Sequence, residues 1–391
     1  MRWTVRLALI TISASIPAAT TYLPQPLLTL ISDEFHVVDA QLGLAASAMP
    51  IGFAVGVIVL IPLSDRVQPR TLSQIQAASA AVFLLAASLA PTFLTLCLAL
   101  LLAGVAAAFA QVLMPFAIRL APEKSAGTVA AILSGSFLVA IFSTRIVGAW
   151  FGGAVGWRPV FVFAAVLMVG LIAVIRVAVP ISTQLRPEFS YRAIMAALPR
   201  LAAKSPTLLG LAACQACFFF AFQGLWSIMT LHFTAAPFRW TVAQAGLVGL
   251  AGVAAGLLAF FTGRLVDRWG TYRAATASAV VCLAAMLAMV IAPSAVAVIV
   301  GLFLLCLASQ ASQAATQSRA LRAVAPHQAG SANTIYMTCL FVGGALGAGS
   351  ASWLFALGGV GAVAFSAVVP LALSVILLTF VMRRRITSTA I

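Results

Sequence analysis

The chain has 391 residues, 63 % of them hydrophobic and only 7 % charged, with a formal net charge of +15. So little polar side chain excludes a soluble globular protein. The positive balance does not call for nucleic acid either, because of where the basic residues stand.

Twelve apolar runs follow one another, near 6–30, 42–63, 71–90, 93–118, 126–151, 159–179, 206–232, 242–262, 274–291, 295–316, 329–355 and 360–382. Each approaches or exceeds the roughly 20 residues a helix needs to cross the hydrocarbon core. Barrel strands are about half as long and alternate polar with apolar, and these runs do not. The predicted fold is an all-α membrane protein of twelve transmembrane helices in two pseudo-symmetric six-helix bundles. The longest polar stretch separates six spans from six. It gives an N-terminal bundle over 1–180, a cytoplasmic linker over 181–205 and a C-terminal bundle over 206–391.

With the N-terminus inside, 19 of the 22 basic residues fall in inner segments, from Arg2 and Arg6 to Arg383, Arg384 and Arg385. The positive-inside rule therefore places both termini in the cytoplasm, with the basic surface against anionic lipid headgroups. Trp3 and Trp269 are expected at the inner interface, and Trp150, Trp157, Trp240 and Trp353 at the outer one, as an aromatic belt. Arg2 and Arg6 precede an apolar run, but eleven further spans make it a retained first helix and not a signal peptide. All six cysteines lie inside predicted spans, so no disulfide framework is expected, and Cys214-x-x-Cys217 reads as helix packing.

A charged phrase occurs twice, Asp65-Arg66 and Asp267-Arg268, 202 positions apart. Each copy is expected in a loop of about ten residues between spans, the mark of a duplicated transporter unit. Ala121-Pro122 before span 5 answers Ala325-Pro326 before span 11, 204 positions later. Gly52-x-x-x-Gly56, Gly148-x-x-x-Gly152, Gly252-x-x-x-Gly256 and Gly343-x-x-x-Gly347 are small-residue pairs in spans 2, 5, 8 and 11. They suit close static packing, and equally a surface on which two bundles rock.

These features resemble the major facilitator superfamily over essentially the whole chain. Gly263-x-Leu265-x-Asp267-Arg268-x-Gly270-x-x-Arg273 is similar to the superfamily's signature loop, while the first copy keeps Asp65, Arg66 and Arg70 but has Ile61 for the usual glycine. The resemblance implies that the acidic residue caps a neighbouring helix N-terminus and latches an inner gate, which suits a carboxylate at the positive end of a helix dipole. Tyr22-x-Pro24-Gln25-Pro26, Gln111-x-x-x-Pro115, Arg145-x-x-x-Ala149, Gly156-Trp157-Arg158 and Asn333-x-x-Tyr336-Met337 narrow it. Together they look like the drug:proton antiporter-like, arabinose-efflux-permease-like exporters of the bacterial inner membrane.

Polar groups at lipid depth face a cavity or a partner helix, so they are the candidates for cargo contact. Arg145 is the one charged residue deep in a span, and a central arginine costs roughly 3 kcal/mol on insertion scales. It reads either as a buried arginine met by backbone carbonyls or Gln111, or as an anchor for anionic or carbonyl-rich cargo. Tyr22 and Gln25 stand at a Pro-broken stretch of span 1, where freed backbone groups need partners or water. Gln111, Gln215 and Gln313 supply uncharged donors and acceptors, and Asn333 with Tyr336 forms a polar pair on one face of span 11. Trp226 lies off the aromatic belt and is the aromatic expected to line a pocket.

The seven acidic residues all stand at loops or span ends, and there is no Gly-x-x-x-x-Gly-Lys phosphate loop. Direct ATP chemistry is thus not expected, and proton coupling is carried by the resemblance alone. The expectation is a monomeric secondary exporter of a small organic molecule, with the lipid bilayer as its partner and no cofactor, metal or nucleic acid. Import of a small organic solute on the same fold is the alternative. An enzyme is not expected, since no cluster of catalytic residues gathers at one interface.

Overall fold

The structure, a computed structural model, describes residues 3–64, 66–121, 126–181, 191–291, 294–325 and 328–388. Every regular element among them is helical. The chain falls into two compact units, Met1–Tyr191 with Met229–Val253, and Arg192–Ile228 with Ala254–Ile391.

In the first unit, α1 covers Trp3–Thr20 and α2 Leu28–Phe35, joined by a 3₁₀ turn at Gln25–Leu27. Pro24 and Pro26 have no N–H to donate, so the chain tightens. Leu23 N donates to Thr20 O, Gln25 N to Tyr22 O and Leu27 N to Pro24 O, each three residues back. Then follow α3 (Leu42–Leu63), α4 (Pro69–Ser88), α5 (Phe93–Ala107), α6 (Ala110–Leu120), α7 (Ala126–Val155) and α8 (Trp157–Ala178). Proline at the first position opens α4, and a Thr92–Thr95 capping box opens α5, satisfying backbone donors that have no partner inside a helix.

α9 (Tyr191–Lys204) stands where the sequence suggested only a polar linker. Its apolar residues recur on one side between Arg192, Arg200 and Lys204, a period hidden by the overall polarity. α10 (Pro206–Ser227) and α11 (Met229–Thr234) form span 7. The short α12 (Val242–Gly246) leads into α13 (Gly249–Trp269), followed by α14 (Thr271–Ile291), α15 (Ala295–Leu321) and α16 (Ala329–Ser388). α16 is interrupted at Gly358 and Gly359. The latter has φ 64° and ψ −158°, a region only glycine enters without strain.

Ten described helical segments are long and apolar enough to cross a membrane. One of them, Ala329–Thr379, contains the Gly358–Gly359 interruption and supplies two spans, and Val242–Leu258 is a shorter apolar segment. Twelve spans result, as the sequence suggested.

The second Asp-Arg phrase is not in a ten-residue loop. α13 continues through it to Trp269, and Gly270, at φ 78°, is the single residue between α13 and α14. The first connection is also short, since α3 ends at Leu63 and α4 begins at Pro69. Apolar length marks where lipid ends but not where a helix ends, so the polar last turn of α13 gives no hydropathy signal of its helical continuation.

The glycine pairs also resolve. A Cβ on Gly52 or Gly56 would strike the backbone of α5 at Leu101 or Val105. One on Gly148 would meet Leu23 and Pro26, and one on Gly152 would meet Leu27. Gly343 and Gly347 lie against the carbonyls of Ala216 and Phe220 on α10. These three pairs therefore join helices of the same predicted bundle. In the fourth pair, Gly252 meets a helix of the other sequence half, closing on the Phe142 ring of α7. Gly246 and Gly249 extend that contact along Arg145, Ile146 and Ala149.

Candidate functional site

In the first unit, the broken end of span 1 lies against α7. Gly148 and Gly152 leave room for Leu23, Pro26 and Leu27, and Arg145 is one turn before Gly148 on the same face. Its guanidinium carbon is 5.6 Å from the centroid of the Tyr22 ring and 5.9 Å from that of Phe142. Tyr22, Gln25 and Arg145 are all buried, at 3 %, 1 % and 5 % exposure. A cation held over aromatic faces gains about 0.5–2 kcal/mol, which offsets part of the cost of its burial.

Gln25 differs from its neighbours. Neither its amide oxygen nor its amide nitrogen has a hydrogen-bond partner. Leaving a buried polar group unmet costs about 1–3 kcal/mol, so a residue held this way calls for an explanation. Gln111 is also buried, on α6, which packs on α7.

In the second unit the candidates form a polar spine. The Gln215 amide nitrogen donates to Ser309 O at 3.4 Å, and the Ser312 hydroxyl donates to the Gln215 amide oxygen at 3.0 Å. Thr316 donates to Ser312 O at 2.7 Å, and its hydroxyl is 2.8 Å from that of Tyr336. Beside it, Gln317 donates to Asn333 at 2.9 Å. Gln215, Asn333 and Tyr336, three predicted cargo contacts, thus tie α10, α15 and α16 together. Gln313 is half-buried on α15.

Trp226 is buried 6.5 Å from the Phe222 ring, in an aromatic row where Phe219 stacks on Phe222 at 5.3 Å. One turn before Trp226, Gln223 is fully buried with both amide atoms unmet. It carries the same signature as Gln25. The sequence showed Gln223 only as one of several glutamines, because hydropathy does not report which neighbours can donate. Gln76 on α4 shares that property.

The Major Facilitator Superfamily model matches the chain twice, over residues 10–210 and again over 211–390. The chain belongs to the Major Facilitator Superfamily. The double match agrees with the repeat seen in the charged phrases. "Probable transporter SCO4007" of Streptomyces coelicolor is 34 % identical over 366 residues, spanning 92 % of this chain and 84 % of that protein. "Putative uncharacterized transporter YgaY" of Escherichia coli is 28 % identical, spanning 87 % and 86 %. Among solved structures, nucleoside transporter NupG (D323A mutant) superposes with a TM-score of 0.75 at 13 % identity, covering 98 % of this chain and 99 % of that one. The human organic anion transporter MFSD10 gives 0.73 at 16 % identity, covering 97 % and 100 %. At such identities these structures bear on fold alone. The chain is a multi-pass membrane protein and a secondary transporter.

Within this superfamily fold the gate candidates stand at helix ends. Arg70 is in the first turn of α4 and Arg273 in that of α14. Arg66, inside the α3–α4 connection, and Arg268, in the last turn of α13, are both exposed. Asp65 lies outside the described residues, as does the side chain of Asp267.

Two of the tryptophans expected in the belt are held by neighbouring side chains. Trp150, Trp269 and Trp353 are exposed, as a belt residue should be. Trp157 is buried and donates to Glu34 at 2.6 Å. Trp240 stacks on Phe233 with ring centroids 4.5 Å apart.

Proposed function

We propose that this transporter exports a small organic molecule across the bacterial inner membrane by alternating access, with both termini cytoplasmic and a proton gradient as the driving force. Tyr22, Gln25 and Arg145 make the cargo contacts in the first half, with Gln111 beside them. Trp226 and Gln313 are the cargo-contact candidates of the second half, where Gln215, Asn333 and Tyr336 hold the helices that carry them. The observation that carries this reading is Gln25, a buried amide with both atoms unmet, on the same helix break as the Tyr22 ring that faces Arg145. Packing alone does not account for polar groups kept in that condition at membrane depth. The exporter reading rests on the motifs of the drug:proton antiporter-like branch. Asp65 and Asp267, with Arg66, Arg70, Arg268 and Arg273, act at the inner gate.

Cells lacking the gene should retain more of the cargo, and retention unchanged across a broad panel of metabolites and drugs would count against export. Inverted vesicles should accumulate labelled cargo when energised and lose it when the proton gradient is collapsed. Accumulation only in right-side-out vesicles would favour import.

A further inference from the structure

The chemistry of the first-half site narrows the cargo. Gln25 follows Tyr22 by three residues through a 3₁₀ turn, and its backbone N–H donates to Tyr22 O. Residues three apart in such a turn share a face, so Gln25 and Tyr22 stand on the same side of it. The Tyr22 ring faces the Arg145 guanidinium at 5.6 Å. The site therefore brings together a planar fork of cationic donors, an amide N–H₂ that is unused, and an amide oxygen that is also unused.

We propose that this site takes a 2-hydroxy carboxylate carrying an apolar body. The inference rests on the reading of Tyr22, Gln25 and Arg145 as cargo contacts. A carboxylate matches the guanidinium fork with two parallel bonds and can also accept from the Gln25 amide nitrogen. Only a ligand that also donates satisfies the Gln25 oxygen, and the 2-hydroxyl is the nearest donor to the carboxylate. A cationic cargo is excluded, since a second positive charge beside a buried guanidinium is repelled strongly at low dielectric. An amino acid is disfavoured for the same reason, because its ammonium would take the place of the hydroxyl. The Tyr22 and Phe142 rings accommodate the apolar body.

The test uses the full chain in lipid nanodiscs, titrated with 3-phenyllactate, 3-phenylpropanoate, methyl 3-phenyllactate and phenylalanine. Phenyllactate should bind about tenfold more tightly than phenylpropanoate, and the acid at least about tenfold more tightly than its ester. Gln25→Leu should remove the preference for the hydroxyl and keep that for the acid. Arg145→Gln should remove the preference for the acid. An ester or phenylalanine binding as tightly as phenyllactate overturns the assignment in the wild-type protein alone, whatever the variants do. In proteoliposomes, movement of neutral or cationic compounds without any acid overturns the cargo class and leaves export standing. Neither movement nor binding of compounds of any charge removes both.

Discussion

Arg158 and Glu34, 124 positions apart, meet at 2.7 Å and join three spans at one end of the first unit. Glu34 ends span 1 and accepts from the Trp157 indole as well as from Arg158. Nη1 donates to Ser88 O at 2.6 Å, and Nη2, which also faces Glu34, donates to Ala90 O at 2.9 Å, satisfying carbonyls at the end of α4. Arg158 also lies 4.4 Å from the Trp157 ring centroid, and Phe35 packs on the same tryptophan.

The two partners of this clamp should differ in cost. The ion-paired side chains are 34 % and 43 % exposed, so solvent screening leaves the pair itself about 1 kcal/mol or less. Glu34→Gln should therefore lower the unfolding midpoint only slightly. Arg158→Ala also strips the two carbonyls and should cost about 1–3 kcal/mol. A double-mutant cycle on thermal unfolding in detergent measures the coupling, and equal losses from the two single variants would refute the carbonyl-capping role.

Gly347 should be among the least replaceable residues of the second unit. A Cβ there would overlap the Phe220 carbonyl, which cannot move without displacing α10. Gly347→Val should cut the yield of monodisperse protein severely, overpacking of this kind costing about 1–3 kcal/mol or more. Gly361→Ala is the control, since a Cβ at Gly361 meets nothing within 4 Å. Fluorescence-detected size exclusion separates the two.

Tyr336 tests the reading of the polar spine. Tyr336→Phe deletes the 2.8 Å contact with Thr316 and preserves the ring. The loss should be about 1 kcal/mol of stability, with cargo affinity unchanged. Reduced affinity at undiminished stability would instead make Tyr336 a direct cargo contact.

Arg145 should separate insertion from activity. Arg145→Ala should abolish transport while leaving membrane insertion intact, since removing a charge from a span makes insertion easier. Arg145→Lys should recover little, because an ammonium lacks the planar fork. Normal efflux by either variant would sink the assigned role.

Part of the site could be read directly from the chain. Pro24 and Pro26 announced the break in span 1, and a lone arginine in an apolar run announced Arg145. Other parts could not. Glu34 looked like an ordinary span-end carboxylate and Trp157 like a belt residue, because their partnership links residues 123 positions apart. Gln25 and Gln215 looked alike as intramembrane glutamines. One proves unmet and the other bonded to Ser309 and Ser312, a difference made by neighbours on other helices.

By itself the sequence determined the membrane environment, the spans, the duplication and the residues able to break a helix. These follow from hydropathy, charge and backbone chemistry, which act along the chain. The doubled Asp-Arg phrase marked two related junctions, but tertiary structure showed the second to be the single residue Gly270. Tertiary structure also decided which glycine faces which backbone, and which buried amides go unanswered. Lipid tails are as apolar as a neighbouring helix, so hydropathy cannot choose between them. Close packing and hydrogen-bond complementarity make that choice.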